Sequence, residues 1–139
     1  MSNELATVNV NTMMNSEVGS TYCSIAVNGD RAQAAKVFNA INNPEYKVSE
    51  FINKEIAVKD VLIEIVSVDS EETGELSEIP RTVLIDENGK AYQATSVGMF
   101  NVVKNAINVF GPAPWNDPLI FTIKQIPTKR GSMLTADIH

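Results

Sequence analysis

The order of elements in this 139-residue chain predicts a mainly β protein with an OB-fold, a five-stranded and partly open barrel. Residues 56–68 form one extended run dominated by β-branched residues, which favours a long, bent strand that serves both halves of a sheet. Residues 81–95 are typical of a hairpin around Asn88-Gly89, and residues 119–138 of a second hairpin. One helical segment separates the third strand from the fourth, as in this barrel. A split α+β sheet is the alternative, and the length of the first strand favours the barrel.

The N-terminal part of the chain is predicted to be an extension of the barrel. Residues 1–20 show neither helical nor strand periodicity and predict a loose arm. Residues 21–139 are predicted to form a single domain, in which a strand at 22–27 and a turn at Asn28-Gly29 lead into the first helix.

Two helices are indicated by their caps and their apolar spacing. Asp30 is a good N-cap for a helix at 31–42, which Pro44 ends. Ser96 caps a second helix, which ends at Gly111. In the first helix the apolar residues recur at i, i+3, i+4 and i+7, so Phe38 is expected in the core rather than in contact with a ligand. These residues are Ala34, Val37, Phe38 and Ile41.

Composition excludes several classes of function. The single cysteine, Cys23, cannot form an internal disulfide, and with His139 as the one histidine no Cys/His metal site can be assembled. No phosphate-binding glycine motif and no distinctive pair of carboxylates occurs, so we predict no catalytic residues, no metal, no cofactor and no enzymatic activity. The chain has no apolar run of membrane-spanning length and no signal peptide, which indicates a cytoplasmic protein without membrane contact.

Charge is unevenly distributed, although the net charge is -6. Before Arg81 there are five basic residues against thirteen acidic ones, and from Arg81 onward six against four. A polyanion is therefore expected to favour the C-terminal part. The acidic stretch 69–78 is predicted to be a solvated, mobile loop.

Binding of single-stranded nucleic acid requires exposed rings for the bases and cations for the phosphates, and the C-terminal part offers both. Strand alternation places Lys90 and Tyr92 on one face of the returning hairpin strand. Phe121 and Trp115 have an alternative role in core packing. The two cations at the tip of the second hairpin have an alternative role in keeping an exposed turn soluble. The remaining candidates are Trp115, Phe121 with Lys124, and Lys129-Arg130 at that tip.

Several segments, taken in their order, resemble single-stranded DNA-binding proteins from bacteriophages of Gram-positive bacteria. The resemblance implies an OB-fold that coats the displaced strand during phage DNA replication, in the host cytoplasm and alongside replication proteins. The predicted DNA contacts are Arg81, Lys90, Tyr92, Trp115, Phe121, Lys124, Lys129 and Arg130. The resembling segments are 80–86, 89–92, 96–100, 110–112 with Trp115, 123–125 and 128–131, with a weaker one at 36–40.

Two other functions are compatible with the residues. The net negative charge favours a protein–protein interaction module that uses the acidic loop 69–78 or the N-terminal arm. An OB domain that binds RNA has the same ingredients as one that binds DNA. The oligomeric state is left open by the sequence.

Overall fold

A computed structural model describes residues 21–25, 29–69, 76–129 and 131–139. Within them the chain forms seven strands and two α-helices, with a short 3₁₀ turn, Val48–Phe51, before the longest strand. The elements are β1 (Thr21–Cys23), α1 (Arg31–Asn42), β2 (Tyr46–Lys47), β3 (Glu55–Asp69), β4 (Leu76–Asp86), β5 (Ala91–Ala94), α2 (Val97–Phe110), β6 (Leu119–Thr128) and β7 (Gly131–Ile138).

The long strand β3 is the centre of the sheet. It pairs antiparallel with β4 over Val58 to Asp69 and with β6 over Glu55 to Val58, so its two ends serve different neighbours. The register with β4 shifts between Val58 and Asp60, which leaves Lys59 in a bulge. Bulges bend a strand and increase its twist. The prediction of one long, bent strand that serves both halves of the sheet is confirmed.

The sheet order is β2-β5-β4-β3-β6-β7, with β1 added beside β3. The sheet curls into a half-barrel, and α2 follows its hairpin strand β5 and precedes β6. In the described part of the chain no ladder joins β5 to β7, because β2 occupies the other edge of β5. The fold is therefore mainly β and compatible with a partly open, OB-like barrel, as predicted.

The curled sheet is covered on both faces. Its inner face encloses the larger core, which includes Phe100, Phe121 and Leu84. On the outer face, α1 packs through Val37 and Ala40 on a second apolar cluster. Burial on both faces makes the middle of the sheet the most protected region. The sheet residues of the second cluster are Leu62, Val83, Ile85 and Ala91.

Phe38 corrects the prediction for α1, because 60% of its surface is exposed. The stripe that contacts the sheet contains Val37, Ala40 and the partly buried Ile41. Successive helical residues are rotated by about 100°, so Phe38 points well away from a stripe centred near Val37. The spacing of four apolar residues predicted the helix correctly. It did not predict which face is buried, since that face contains Val37 and Ala40 and not Phe38.

The boundaries of the helices follow their predicted caps. The Asp30 carboxylate accepts hydrogen bonds from the backbone N–H groups of Ala32 and Gln33. The Ser96 hydroxyl accepts one from Met99 N–H at 2.9 Å. Gly111 ends α2 with a φ of 92°. These contacts satisfy backbone groups that helix ends leave without intrahelical partners.

Some predicted segments lie outside the described residues, and others are shorter than expected. The predicted arm 1–20 and the predicted turn residue Asn28 lie outside them. The first strand ends at Cys23 rather than at residue 27. The acidic loop is shorter than 69–78, since Asp69 ends β3 and Leu76 begins β4, while 70–75 lie outside the described residues.

Helix α2 packs closely on β7 at Gly98. A Cβ atom at this position would overlap the carbonyl oxygen of Leu134 and come within 2.7 Å of the Met133 Cγ. The missing side chain of glycine is therefore what allows the helix to approach the strand. No helix among the described residues is long and apolar enough to cross a membrane.

Candidate nucleic-acid interface

The β4–β5 hairpin closes through a three-residue turn. The backbone N–H of Asp86 donates to Lys90 O at 2.9 Å, and Gly89 N–H donates to Asp86 O at 2.9 Å. Gly89 has a φ of 85°, a left-handed conformation that glycine adopts without steric cost. Asn88 does not share that conformation, so the predicted two-residue Asn88-Gly89 turn is one residue too short. A turn followed by a left-handed glycine is the common three-residue hairpin loop.

Asp86 ends β4 and is buried, with 8% of its surface exposed. One carboxylate oxygen, Oδ1, accepts hydrogen bonds from the backbone N–H groups of Asn88 and Lys90, at 2.9 and 3.0 Å. The other oxygen, Oδ2, accepts one from the Tyr92 hydroxyl at 2.7 Å. Three donors are therefore directed at one buried carboxylate.

Tyr92 lies in β5 and faces the inner core, with 7% of its surface exposed. Burial, and then the hydrogen bond to Asp86, raise the pKa of the Tyr92 hydroxyl well above its ordinary value. The hydroxyl therefore stays protonated and remains a hydrogen-bond donor. The prediction placed Lys90 and Tyr92 on one face of the strand, but Lys90 precedes β5 and is exposed, whereas Tyr92 is buried.

Three aromatic rings meet beside this hairpin. The Tyr92 ring stacks on Tyr46 of β2, with 5.1 Å between centroids and 26° between planes. The Phe51 ring, from the 3₁₀ turn, meets both tyrosines edge to face, at 5.3 Å from Tyr46 and 5.0 Å from Tyr92. Tyr46 and Phe51 are only half-buried. We call these three residues the aromatic cluster; two of its rings reach the surface, and the third supports them from within.

Two exposed lysines flank the aromatic cluster. The Lys90 Nζ lies 6.0 Å from the centroid of the Tyr46 ring, and the Lys54 Nζ lies 5.7 Å from that of Phe51. Both distances are within the range in which a cation is attracted to a ring face. Each surface ring of the cluster therefore has a positive charge beside it.

Acidic side chains next to the cluster are directed at the backbone. Glu45 Oε2 accepts a hydrogen bond from Ala91 N–H at 3.0 Å. Glu50 Oε1 accepts one from Lys47 N–H at 2.8 Å. Because each carboxylate has a backbone donor, part of its negative charge is compensated locally.

Trp115 and Phe121, two of the predicted contact residues, lie in the core, with 6% and 0% of their surfaces exposed. Their ring centroids are 6.3 Å apart. The Trp115 indole N–H donates to Gly111 O, and its backbone N–H donates to Lys59 O in the bulge of β3. In this arrangement neither ring presents a face to solvent, and the contact of both with DNA stays a prediction.

Arg81 lies on β4 and is also engaged by the protein. Its Nη1 forms an ion pair with Glu64 Oε1 at 2.9 Å, and its Nε donates to Gln93 Oε1 at 3.1 Å. Only 12% of its side chain is exposed. Its charge is therefore largely compensated within the sheet.

Two of the predicted cations of the second hairpin, Lys124 and Lys129, lie on an exposed arm. Lys124 forms an ion pair with Asp137 across the β6–β7 ladder, and both side chains are exposed. Lys129 is exposed at the tip, and Arg130 lies outside the described residues. Of the eight predicted contacts, the structure brings together Lys90 with Tyr92 and Trp115 with Phe121, and it places Lys124 and Lys129 on the arm.

Sequence reasoning missed Tyr46, Phe51 and Lys54. A signal was present, since residues 44–54 alternate aromatic and basic side chains within eleven positions. The segment has no helical or strand periodicity, because it forms a two-residue strand and one 3₁₀ turn. The parallel pairing of β2 with β5 and the hydrogen bond between Glu45 and Ala91 bring this segment beside the hairpin.

A curled, OB-like sheet that presents aromatic rings with lysines beside them has the features of a single-strand nucleic-acid-binding protein. A comparison with family models identifies the family within this class of protein. The model of the phage single-stranded DNA-binding protein family, of the Phi29 type, matches residues 11–138, and the chain belongs to that family. Searches of curated proteins and of solved structures gave no significant match.

Proposed function

We propose that this chain coats single-stranded DNA with little sequence preference during phage DNA replication in the host cytoplasm, through base stacking and phosphate neutralisation. The family supports single-stranded DNA as the ligand. The observation that carries the stacking part is the aromatic cluster, whose half-buried rings, Tyr46 and Phe51, are each flanked by an exposed lysine.

Stacking on this cluster explains tolerance of sequence. Every base has a π-face, and one stacked base contributes about 1–3 kcal/mol to affinity. Tyr46 and Phe51 expose part of their rings, while Tyr92 supports them from the core side. A preformed cluster of this kind loses little side-chain entropy when a base docks.

Phosphate neutralisation in this proposal is local, since the chain has a net charge of -6. Lys54 and Lys90 lie beside the rings, where the phosphates of a stacked strand would pass. Lys124 and Lys129 on the β6–β7 arm are proposed as further phosphate contacts, and so is Arg130, which lies outside the described residues. The burial of Trp115 and Phe121 favours packing over stacking for these two residues.

A groove of about 360 Å³, with both polar and apolar side chains in its lining, begins beside the cluster and offers a path for the strand. It begins at Lys47, which follows Tyr46 in β2, and reaches Ser96 at the start of α2. Its hydroxyl, amide and ammonium groups suit sugar and phosphate oxygens. The groove is lined by Lys47, Ser49, Gln93, Ala94, Thr95, Ser96 and Leu134.

The test is titration of a labelled poly-dT oligomer with the parent protein and with Tyr46→Ala, at several salt concentrations. We expect Tyr46→Ala to weaken binding by about 1–3 kcal/mol, with an unchanged salt slope, because the substitution removes a stacking partner and not a charge. Phe38→Ala is the matched control, since it removes an exposed aromatic ring from α1 and should leave affinity unchanged.

Absence of poly-dT binding by the parent at low salt would overturn the proposed function. Equal effects of Tyr46→Ala and Phe38→Ala would overturn the location of the stacking site. Competition between matched DNA and RNA oligomers separates the DNA proposal from RNA binding, because the 2′-hydroxyl distinguishes the two ligands.

A further inference from the structure

Asp86 is remote from solvent, yet it contacts both components of the proposed site. Its Oδ2 holds the Tyr92 hydroxyl, and the Tyr92 ring stacks on Tyr46. Its Oδ1 holds the backbone N–H of Lys90, whose ammonium lies beside Tyr46. One carboxylate thus fixes the ring behind the surface tyrosine and the main chain of the lysine in front of it.

Three donors directed at one buried carboxylate form a rigid arrangement. Hydrogen bonds to an ionised acceptor are shorter and about twice as strong as those between neutral groups. The bond at 2.7 Å fixes the position of the Tyr92 hydroxyl, and the packing of Tyr46 and Phe51 against the Tyr92 ring holds the plane of that ring. The orientation of the Tyr46 ring follows, because Tyr46 packs on Tyr92 and Phe51.

We infer that Asp86 is a positioning residue for single-stranded DNA: it sets the orientation of the aromatic cluster and the place of Lys90, and it does not touch the ligand. The inference rests on the proposed function. It gives an acidic residue a favourable role in binding an anion, which charge alone would not suggest.

The sign of the effect separates this role from simple electrostatics. Removing a negative charge near DNA should strengthen binding if the charge acts only by repulsion. If Asp86 acts by positioning, its removal should weaken binding instead. Glu87, the next residue, is exposed in the same turn and offers the matched control for charge.

The experiment compares poly-dT affinity for the parent, Asp86→Asn and Glu87→Gln at fixed salt, with circular dichroism to confirm that each variant is folded. We expect Asp86→Asn to weaken binding by roughly three- to tenfold, in line with the loss of hydrogen bonds to a charged acceptor. Glu87→Gln should bind as well as the parent or slightly better. Unchanged or tighter binding by a folded Asp86→Asn would overturn the inference.

A double-mutant cycle with Tyr46→Ala shows whether Asp86 acts through the cluster. Positioning predicts that Asp86→Asn has a smaller effect once Tyr46 is absent, because only its contribution through Lys90 remains and residues that act as a unit are not additive. A general effect on stability predicts that the two reductions in affinity add, and additive reductions would contradict the inference.

Tyr92→Phe keeps the test decisive if Asp86→Asn does not fold, because it removes only the hydroxyl that bonds to Asp86 and leaves the turn bonds intact. A folded Tyr92→Phe with weaker poly-dT binding supports the inference, and unchanged binding contradicts it. Failure of the parent protein to bind poly-dT is a separate result that concerns the proposed function itself.

Discussion

The two hairpins of the sheet, β4–β5 and β6–β7, have similar sequence patterns and very different environments. Both consist of strands rich in apolar residues around a short turn, with a glycine in the turn of the first and directly after the turn of the second. The β4–β5 hairpin is covered by the inner core on one face and by α1 on the other. In the β6–β7 hairpin, the side chains of residues 124–129 and 131–133 are exposed.

The difference follows from how far each hairpin is paired with β3. β4 follows β3 along eleven paired positions, whereas β6 meets it only over Leu119 to Thr122. Beyond Thr122, strand β6 extends past the first residue of β3 and, among the described strands, is paired only with β7. Fewer elements are therefore available to cover this part of the second hairpin. The aromatic ring of the first hairpin, Tyr92, therefore enters the core, and the cation of the second, Lys129, stays in water.

The largest expected difference between the hairpins is in stability. Tyr92→Ala should lower the free energy of unfolding by about 3–5 kcal/mol, because it removes a buried ring and deprives Asp86 of a hydrogen-bond donor. Ile126→Ala, at an exposed position of the β6–β7 arm, should change it by less than about 1 kcal/mol. Urea unfolding midpoints measure both, and similar effects of the two variants would contradict the comparison.

The packing of the second hairpin on α2 should have an intermediate effect. Gly98→Ala places a Cβ against Leu134 O and Met133 Cγ, so we expect the free energy of unfolding to fall by about 1–3 kcal/mol. Asn105→Ala, an exposed change on the same helix, should stay within about 0.5 kcal/mol of the parent. Thermal unfolding of the two variants would show whether Gly98 holds β7 against the helix; a neutral Gly98→Ala would rule that out.

The smallest effect on stability, but a clear one on binding, is expected at the tip of the arm. Replacing Lys129 and Arg130 together by alanine should reduce the salt slope of poly-dT binding by about 0.7 for each phosphate that is no longer neutralised. The free energy of unfolding should change by less than about 0.5 kcal/mol, because surface positions contribute little. Replacing Arg31 and Lys36, two exposed cations of α1, is the matched control, and an equal change in slope for both pairs would indicate a general effect of charge rather than DNA binding at the tip.

Local features were predictable from particular residues. Asp30 and Ser96 marked the starts of the helices, and Gly111 marked the end of the second, since a cap depends only on the nearest backbone groups. The β-branched run of β3 indicated a long strand for a similarly local reason, because branched side chains favour extended backbone.

The order of elements and the resemblance to a family were also within reach of the sequence. Strand, hairpin, helix and second hairpin followed one another as expected, and the family match over residues 11–138 agrees with the resemblance. The order of elements along the chain is a property of the sequence itself. A prediction of that order therefore stays correct even where the length of a turn, such as the one at Gly89, is wrong by one residue.

Only the tertiary structure decided which aromatic rings reach the surface. Tyr92 and Phe121 lie in the core, and Phe38, which was expected there, is exposed. Burial depends on which element packs on each face of a strand or helix, and the periodicity of the sequence does not identify that element. The aromatic cluster joins β2, the 3₁₀ turn and β5, whose residues are up to 46 positions apart. The sequence by itself determined the elements, their order and the family; the pairing of distant segments decided where a base can stack.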